Sequence, residues 1–400
     1  MKYTRSSKCH FSKWITESKL TSIREFISEM HRVVTWAIEH HESDILGGMK
    51  RPSLLLAENL SRCESWLTAR AKKNAFAEAH ALVLGTKRSA DELNKPYSRP
   101  HHNSSRILLS CTNVDIKLNP ELKWFDLLVD LRYFDSREKA VSVAIPLKQN
   151  KMFNKWKSKG TLCTSVILTD KYVQFSFECE KVKNTEGNII GVDPGAVHVI
   201  NDDEGNHYGS KMMPLLQKLK RKKRNSTAWH ACREEILEYI DHSIKQIPFD
   251  TLRLLVLEDN RKIKNKSKLK SKSKLKSKSK LRGRLSKNMR SVLTGWSIGR
   301  INSRIQMLTE ENGVSLRRVS AYGNSITCPY CNHREKANRA SQGEFVCVKC
   351  GVSRDADTVG ATNSLARFAL GTYGSQYKQM FLVKHPYYHS GDTVISSNFI

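Results

Sequence analysis

"SITCPYCNHREKANRASQGEFVCVKCGVSRDADTVGATN", Ser325–Asn363, sets how the rest of the chain is read. Two Cys-x-x-Cys pairs, Cys328/Cys331 and Cys347/Cys350, stand fifteen residues apart. Zinc takes four soft ligands in a tetrahedron, and each such knuckle supplies two thiolates from one tight turn. The spacing predicts one structural Zn2+ held by these four cysteines, a closed site with no position left for water. Gly351, just after the last cysteine, gives that turn its conformational freedom. His333 is a surplus candidate ligand and is read as solvent-exposed. Two acids, Asp355 and Asp357, follow the knot within a few residues, in a chain otherwise rich in lysine.

That richness is quantitative. The 400 residues carry a formal net charge of +29. Residues 261–290 hold 15 Lys or Arg and no acid, so the remainder still carries +14 (29 − 15). Basicity spread in this way points to polyanions, nucleic acid above all, as partners. No apolar run approaches the roughly 20 residues that a membrane span needs, and the N-terminus lacks a charged-then-apolar signal layout. A cytoplasmic, nucleoid-associated setting is expected, where thiols stay reduced. Cys9, Cys63, Cys111, Cys163, Cys179 and Cys232 are therefore read as ordinary core thiols.

Apolar residues at helical spacing, from Leu20 through Ile23, Phe26, Ile27, Met30 and Val34, predict helix from residue 13 to about 85. Trp14, Trp36 and Trp66 could be core or could stack on bases, and core is the preferred reading. Residues 86–105 read as a linker by composition. From Arg106, five short β-branched or aromatic segments in about 75 residues suggest a small barrel. "NIIGVDPGAVHVINDDEGNHY", from Asn188, reads as strand, Pro194-Gly195 turn, strand and polar turn. Helix is expected over 211–246, with a basic knot at Lys218–Arg224. "TLRLLVLEDN", Thr251–Asn260, reads as a buried central strand ending in acids. The Lys-Ser-Leu run that follows suits neither helix nor strand and is expected to be disordered until it meets an anion. Helix resumes over 286–313, and "SLRRVSA" forms a short strand before the cysteines.

Asp193 sits where an apolar strand meets a turn, and Glu258 ends a second apolar strand. Asp355 and Asp357 precede a helical segment. A carboxylate on a buried strand is costly unless it is paired or holds a metal. Two on separate strands and one at a helix start could converge at one end of a sheet and bind two magnesium ions, a device for cutting phosphodiesters.

The succession of "GVDPG", "VLEDN", the two cysteine pairs and "RDADTVGATN" resembles TnpB, the transposon-encoded RNA-guided endonuclease, and the small type V CRISPR nucleases related to it. The resemblance covers about residues 188–370. It implies a multidomain α+β chain with a RuvC-type, RNase H-like nuclease domain, split by an inserted zinc ribbon and preceded by a helical recognition lobe and a wedge β-barrel. The implied boundaries are a lobe over 1–105 whose N-terminal strand belongs to the wedge, the wedge over 106–187, and a first nuclease segment over 188–320. The ribbon follows over 321–352, the last nuclease motif over 353–375 and a tail over 376–400. Asp193 matches the first motif. Glu258 matches the second, with Asp259 beside it, and Asp357 the third, in register with Gly360-Ala361 and Asn363. Asp355 matches the preceding acid and is not taken as a ligand; Asp357 is expected to be the helix N-cap. Val359 stands where the family commonly has Asn. The implied activity is Mg2+-dependent cutting of double-stranded target DNA under a guide RNA. The alternative is a guided or guide-free DNA-binding protein, a repressor or transposase accessory, that does not cleave.

Overall fold

A computed structural model describes residues 1–92, 94–102, 105–118, 124–134, 139–259, 297–341 and 343–388. The basic run 261–290 and the helix expected over 286–296 lie outside the described residues. The chain divides into two units at residue 180.

The first unit, Lys2–Glu180, is built on the helical spacing seen in the sequence. Thr16 caps α1 (Glu17–Leu46), its side chain accepting from the Lys19 amide. A cap of this kind is worth about 1 kcal/mol. Ile23, Phe26, Met30, Val33 and Val34 of α1 are fully buried. Two short helices, α2 (Arg51–Leu54) and α3 (Ala57–Ser61), lead to α4 (Ala69–Glu92). The linker expected from residue 86 is therefore helical as far as Glu92. Its first half, "TKRSADE", is polar but free of Gly and Pro, and polar residues suit the solvated face of a helix. The strand-rich segments give two antiparallel sheets. One orders β1 (Lys2–His10), β7 (Tyr172–Glu180), β6 (Gly160–Leu168) and β2 (Ile107–Leu109). The other orders β3 (Val114–Leu118), β4 (Leu127–Phe134) and β5 (Ala140–Leu147), and a single bridge joins Phe11 to Leu147. Helix α5 (Lys151–Lys157) buries Phe153 and Trp156. Helices and strands on either side of residue 105 share one apolar core. Of the scattered cysteines, Cys111 is exposed, against the expectation of a core thiol.

In the second unit the central sheet orders β10 (His207–Tyr208), β9 (Ile200–Asp202), β8 (Asn188–Asp193), β11 (Leu252–Glu258) and β12 (Ser315–Val319). Strand β8 is antiparallel to β9 and parallel to β11, which is parallel to β12. β11 is apolar from Leu254 to Leu257 because both of its faces are covered there. Leu255 and Leu257 pack with Ile190 and Val192 on one face. There α6 (Met212–Lys220), α7 (Thr227–Ile244) and α8 (Ile298–Asn312) bury Leu216, Ile236 and Ile301. The expected continuous helix over 211–246 breaks at the basic knot, where like charges crowd one turn, and restarts at the Ser226 cap. Leu254 and Val256 pack with Ile189 on the opposite face, against Leu365, Ala366 and Ala369 of α9 (Ala356–Ala369). The expected tail is structured to Tyr388 and includes α10 (Lys378–Lys384), with Phe381 fully buried. Among the described residues, no helix is long and apolar enough to cross a membrane.

Candidate metal centres

The four cysteines close on one point. Their sulfur atoms all lie within 4.8 Å of one another, with Cys328–Cys350 at 3.6 Å and Cys331–Cys347 at 3.5 Å. These separations are far too long for disulfides. They approach the ~3.8 Å edge of a tetrahedron with Zn–S bonds of about 2.3 Å. The two knuckles repeat one backbone design. The residue after each pair, Asn332 (φ 57°) and Gly351 (φ 73°), is left-handed. Its amide donates to the carbonyl of the first cysteine, at 3.0 Å and 2.8 Å. The first-cysteine amides donate in turn to His333 and Val352 carbonyls, both at 2.9 Å. Burial pushes the Cys328 thiol up to about 12 and raises Cys331 as well; at Cys347 burial also pushes up, but the backbone amides of Cys350 and Lys349, with the Cys331 and Cys350 thiols, outweigh it and bring it to about 7. Amides aimed at sulfur stabilise a thiolate, so the donor set fits zinc. His333 faces Glu335, 3.1 Å away, and is no part of the cluster.

The ribbon hands its chain directly to the acids. Strand β13 (Glu344–Val346) pairs with β14 (Ser353–Asp355), and α9 starts at the next residue. Asp355, not Asp357, is the N-cap. Its Oδ1 accepts from the Thr358 amide (2.8 Å) and hydroxyl (2.9 Å). What fixes that register is the pairing of Asp355 with Glu344 across the ribbon, which the local sequence does not display. Asp355 is thus engaged in capping, and Asp357, in the first turn, is released toward the sheet. Ala356 and Val359 complete the ribbon's core around Phe345, which explains valine at 359.

Asp193 and Glu258 stand one residue beyond the paired positions Val192 and Leu257. Period-two alternation places them with Ile189 and Val256 on the α9 face. The helix approaches closely because small residues line the contact. A Cβ on Gly360 would lie 2.7 Å from Asp193 Oδ2, and one on Gly191 would strike the Ala361 carbonyl. Burial pushes the Asp193 carboxyl well above its ordinary range, and the charges of Glu258, Asp357 and Asp355 add to this while Arg339 opposes them. Asp357 is raised by burial and then by Asp355, and lowered by Arg339, His198 and His207. Such a cluster of partly buried like charges is unfavourable by itself and is stabilised by a cation. Among the described residues only the cysteines bring three or more donor atoms within 4.8 Å of one another. Asp193, Glu258 and Asp357 therefore do not all bring an oxygen within that distance of one another.

Several residues around this centre carry no local sequence signal. Arg339, in the ribbon, lies 3.6 Å from Asp357 Oδ1. The fully buried Asn201 donates to Asp357 Oδ2 (3.1 Å), and its Oδ1 meets His207 Nδ1 (2.6 Å). Asn324 donates to Glu258 Oε1 (3.0 Å) and Ser364 Oγ (2.8 Å). Asn363 donates to the carbonyls of Asn324 (2.7 Å) and Thr327 (2.8 Å), tying α9 to the entry of the ribbon. Behind β8, buried Asp203 accepts from the Gly191 amide (2.8 Å) and meets His385 Nε2 (2.7 Å) and Lys384 Nζ (2.9 Å). Lys384 also donates to the Ile189 carbonyl (2.8 Å), so α10 is anchored to the strand that carries Asp193.

Residues 299–364 match the Cas12f1-like TNB domain. This segment runs from α8 through the ribbon into α9. The fold resembles, over most of the chain, that of Cas12f1 in a complex with sgRNA and target DNA. The TM-score is 0.55 at 13% identity, covering 88% of this chain and 83% of that one. The mini-RNA-guided endonuclease CRISPR-Cas phi3 aligns over 91% of this chain and 92% of its own, at 11% identity and a TM-score of 0.49. No curated protein matches the chain. The chain is thus similar to the type V effectors, as its motif order implies.

Proposed function

We propose that the chain is an RNA-guided DNA endonuclease that cuts target DNA at a two-metal site of RuvC type. The observation that carries this reading is the meeting of Asp193, Glu258 and Asp357 at one end of the central sheet, with the Asp193 carboxyl pushed well above its ordinary range by burial and by the other two. The strand order β10-β9-β8-β11-β12, antiparallel up to β8 and parallel beyond it, supports an RNase H-like core. Asp193, Glu258 and Asp357 would hold two magnesium ions, which supply activation of the attacking water and charge for the leaving oxygen. The protein's own groups set the geometry. Asn324 fixes one oxygen of Glu258, and Asn201 fixes one oxygen of Asp357. Arg339 adds positive charge where a phosphodiester carries negative charge. Guide pairing would read the target sequence, and the basic surface would hold the heteroduplex backbone.

Binding without cleavage is the weaker reading, since it gives no reason to keep three mutually repelling carboxylates together. The test compares Asp193→Ala, Glu258→Ala and Asp357→Ala with the parent, each purified with its RNA and given target duplex and Mg2+. Each substitution should abolish cutting and leave RNA and target binding intact. Cutting by all three variants would overturn the site, a parent that does not cut would overturn the nuclease, and a parent that purifies free of RNA would overturn the guide.

A further inference from the structure

The tryptophans that the sequence leaves between core and base stacking separate in the first unit. Trp36 and Trp66 pack against the apolar core. Trp14 does not join them, against the preferred core reading. Trp14 is 55% exposed and Trp124, which the sequence does not single out, 64%. The two indoles meet edge to face, with ring centroids 5.9 Å apart and planes at 68°. That arrangement uses the edge of one ring and one face of the other, and both indoles remain more than half exposed.

Hydrogen-bonded backbone lies beside both rings. Trp14 lies between the end of β1 and the Thr16 cap of α1, and its amide donates to Ser12 Oγ (3.3 Å). The Phe11 and Ser12 amides donate to the Lys171 and Pro146 carbonyls, both at 3.0 Å. Trp124 precedes β4, and Asp126, two residues on, accepts from the Gln149 amide at 2.7 Å. These backbone bonds bring exposed Lys148 and Lys171 to the same edge as Lys13, whose Nζ lies 5.1 Å from the Trp14 ring centroid. Exposed indoles beside lysines match a nucleotide chain, whose bases offer π-faces and whose phosphates offer charge. A second copy of a chain carrying +29 would bring like charge to the same rim.

We propose that Trp14 and Trp124 form a stacking platform for unpaired bases of the bound RNA, with Lys13, Lys148 and Lys171 taking the neighbouring phosphates. The assignment to RNA rests on the guide-binding aspect of the proposed function. A resident RNA covers the indoles continuously, whereas target DNA is present only transiently. Bases splayed from single-stranded RNA are recognised by such aromatic stacking.

The test measures binding of a fluorescein-labelled oligouridine RNA to the full chain across a salt series. Trp14→Ala and Trp124→Ala should each weaken binding about five- to a hundredfold, the range that loss of one stacked base gives. Trp14→Phe and Trp124→Phe should restore most of it. The slope of log affinity against log salt should not change, since no phosphate contact is removed. Unaltered zinc content and melting temperature exclude a folding defect. Unchanged RNA affinity in the alanine variants, or no recovery with phenylalanine, overturns the platform. So does weakening confined to oligothymidine DNA, or a dimer that the alanine variants dissociate without loss of RNA affinity. The readout is RNA affinity alone, so a chain that binds RNA this way yet cuts nothing overturns the nuclease and leaves the platform standing.

Discussion

Replacing Gly360 by alanine should separate catalysis from folding. Gly360 lies in the second turn of α9, and the nearest atoms to its missing Cβ all belong to Asp193: Oδ2 at 2.7 Å, Cγ at 3.5 Å and Cβ at 3.9 Å. Ordinary contact begins at 3.4 Å, so the carboxylate must retreat by about 0.7 Å (3.4 − 2.7) while the backbone stays put. A rotamer shift of that size costs about 0.5–1.5 kcal/mol. Alanine in place of a helical glycine returns roughly 0.5–1 kcal/mol. The two nearly cancel, and stability should change by no more than about 1 kcal/mol. Catalysis should not be spared, because a misplacement near 1 Å at a reacting centre costs on the order of a hundredfold. A ten- to hundredfold slower single-turnover cut is expected by that reasoning, with guide loaded and Mg2+ saturating. Denaturant melts and the cleavage time course on one preparation check both halves. Gly191→Ala is the control: its Cβ meets the Ala361 backbone and Leu365 Cβ (2.8 Å), which cannot retreat, so it should cost about 1–3 kcal/mol of stability. Cutting by Gly360→Ala at the parent rate would refute the placement of Asp193 at the reacting centre.

The remaining expectations concern charge, metal and cap. Asp193 has a folded-state pKa raised above its ordinary 3.8, so its ionisation opposes folding. The penalty is absent below the ordinary value and grows as pH rises through the raised one. In metal-free protein, Tm should therefore fall across that window, Asp193→Asn should remove the fall, and added Mg2+ should raise Tm in the parent more than in the variant. Cys331→Ser should strip the zinc on elemental analysis and unfold the ribbon, because metal binding supplies its folding energy. Cutting should go with it, since Ala356 and Val359 of α9 belong to the ribbon core. Asp355→Ala should cost about 1 kcal/mol, the worth of a cap, and keep most of the cutting. A dead Asp355→Ala beside an active Asp357→Ala would show that these two carboxylates exchange roles.

The features of this architecture that the sequence displays are those whose cause is local. Cys-x-x-Cys spacing is a property of one turn, and it locates the ribbon. An unbroken apolar run ending in Glu258 reflects a strand covered on both faces, which is also why its alternation is invisible: Leu254 and Val256 serve one core, Leu255 and Leu257 the other. The cap register fails for the complementary reason. Asp355 and Asp357 are both good caps, and only the pairing of Asp355 with Glu344 chooses between them. Arg339 lies 18 positions before Asp357 in a stretch of ordinary polar residues, and Lys384 and His385 meet Asp203 from some 180 positions away, without any local pattern.

These non-local contacts explain why a sulfur knot stands directly before acids. A helix start can aim a carboxylate only as well as its own first turn is held, and first turns fray. Here that turn is held from three sides. Asp355 closes its amides, Ala356 and Val359 are buried in the ribbon core, and Asn363 clamps the next turns to the ribbon's entry at Asn324 and Thr327. Asn324 in turn holds Glu258, so one side chain links the ribbon's first residues to the second carboxylate. The four cysteines stiffen a segment whose two ends meet Glu258 and Asp357. Without that stiffness three repelling carboxylates on a strand end, a neighbouring strand end and a helix start would drift apart, because nothing in their own electrostatics draws them together.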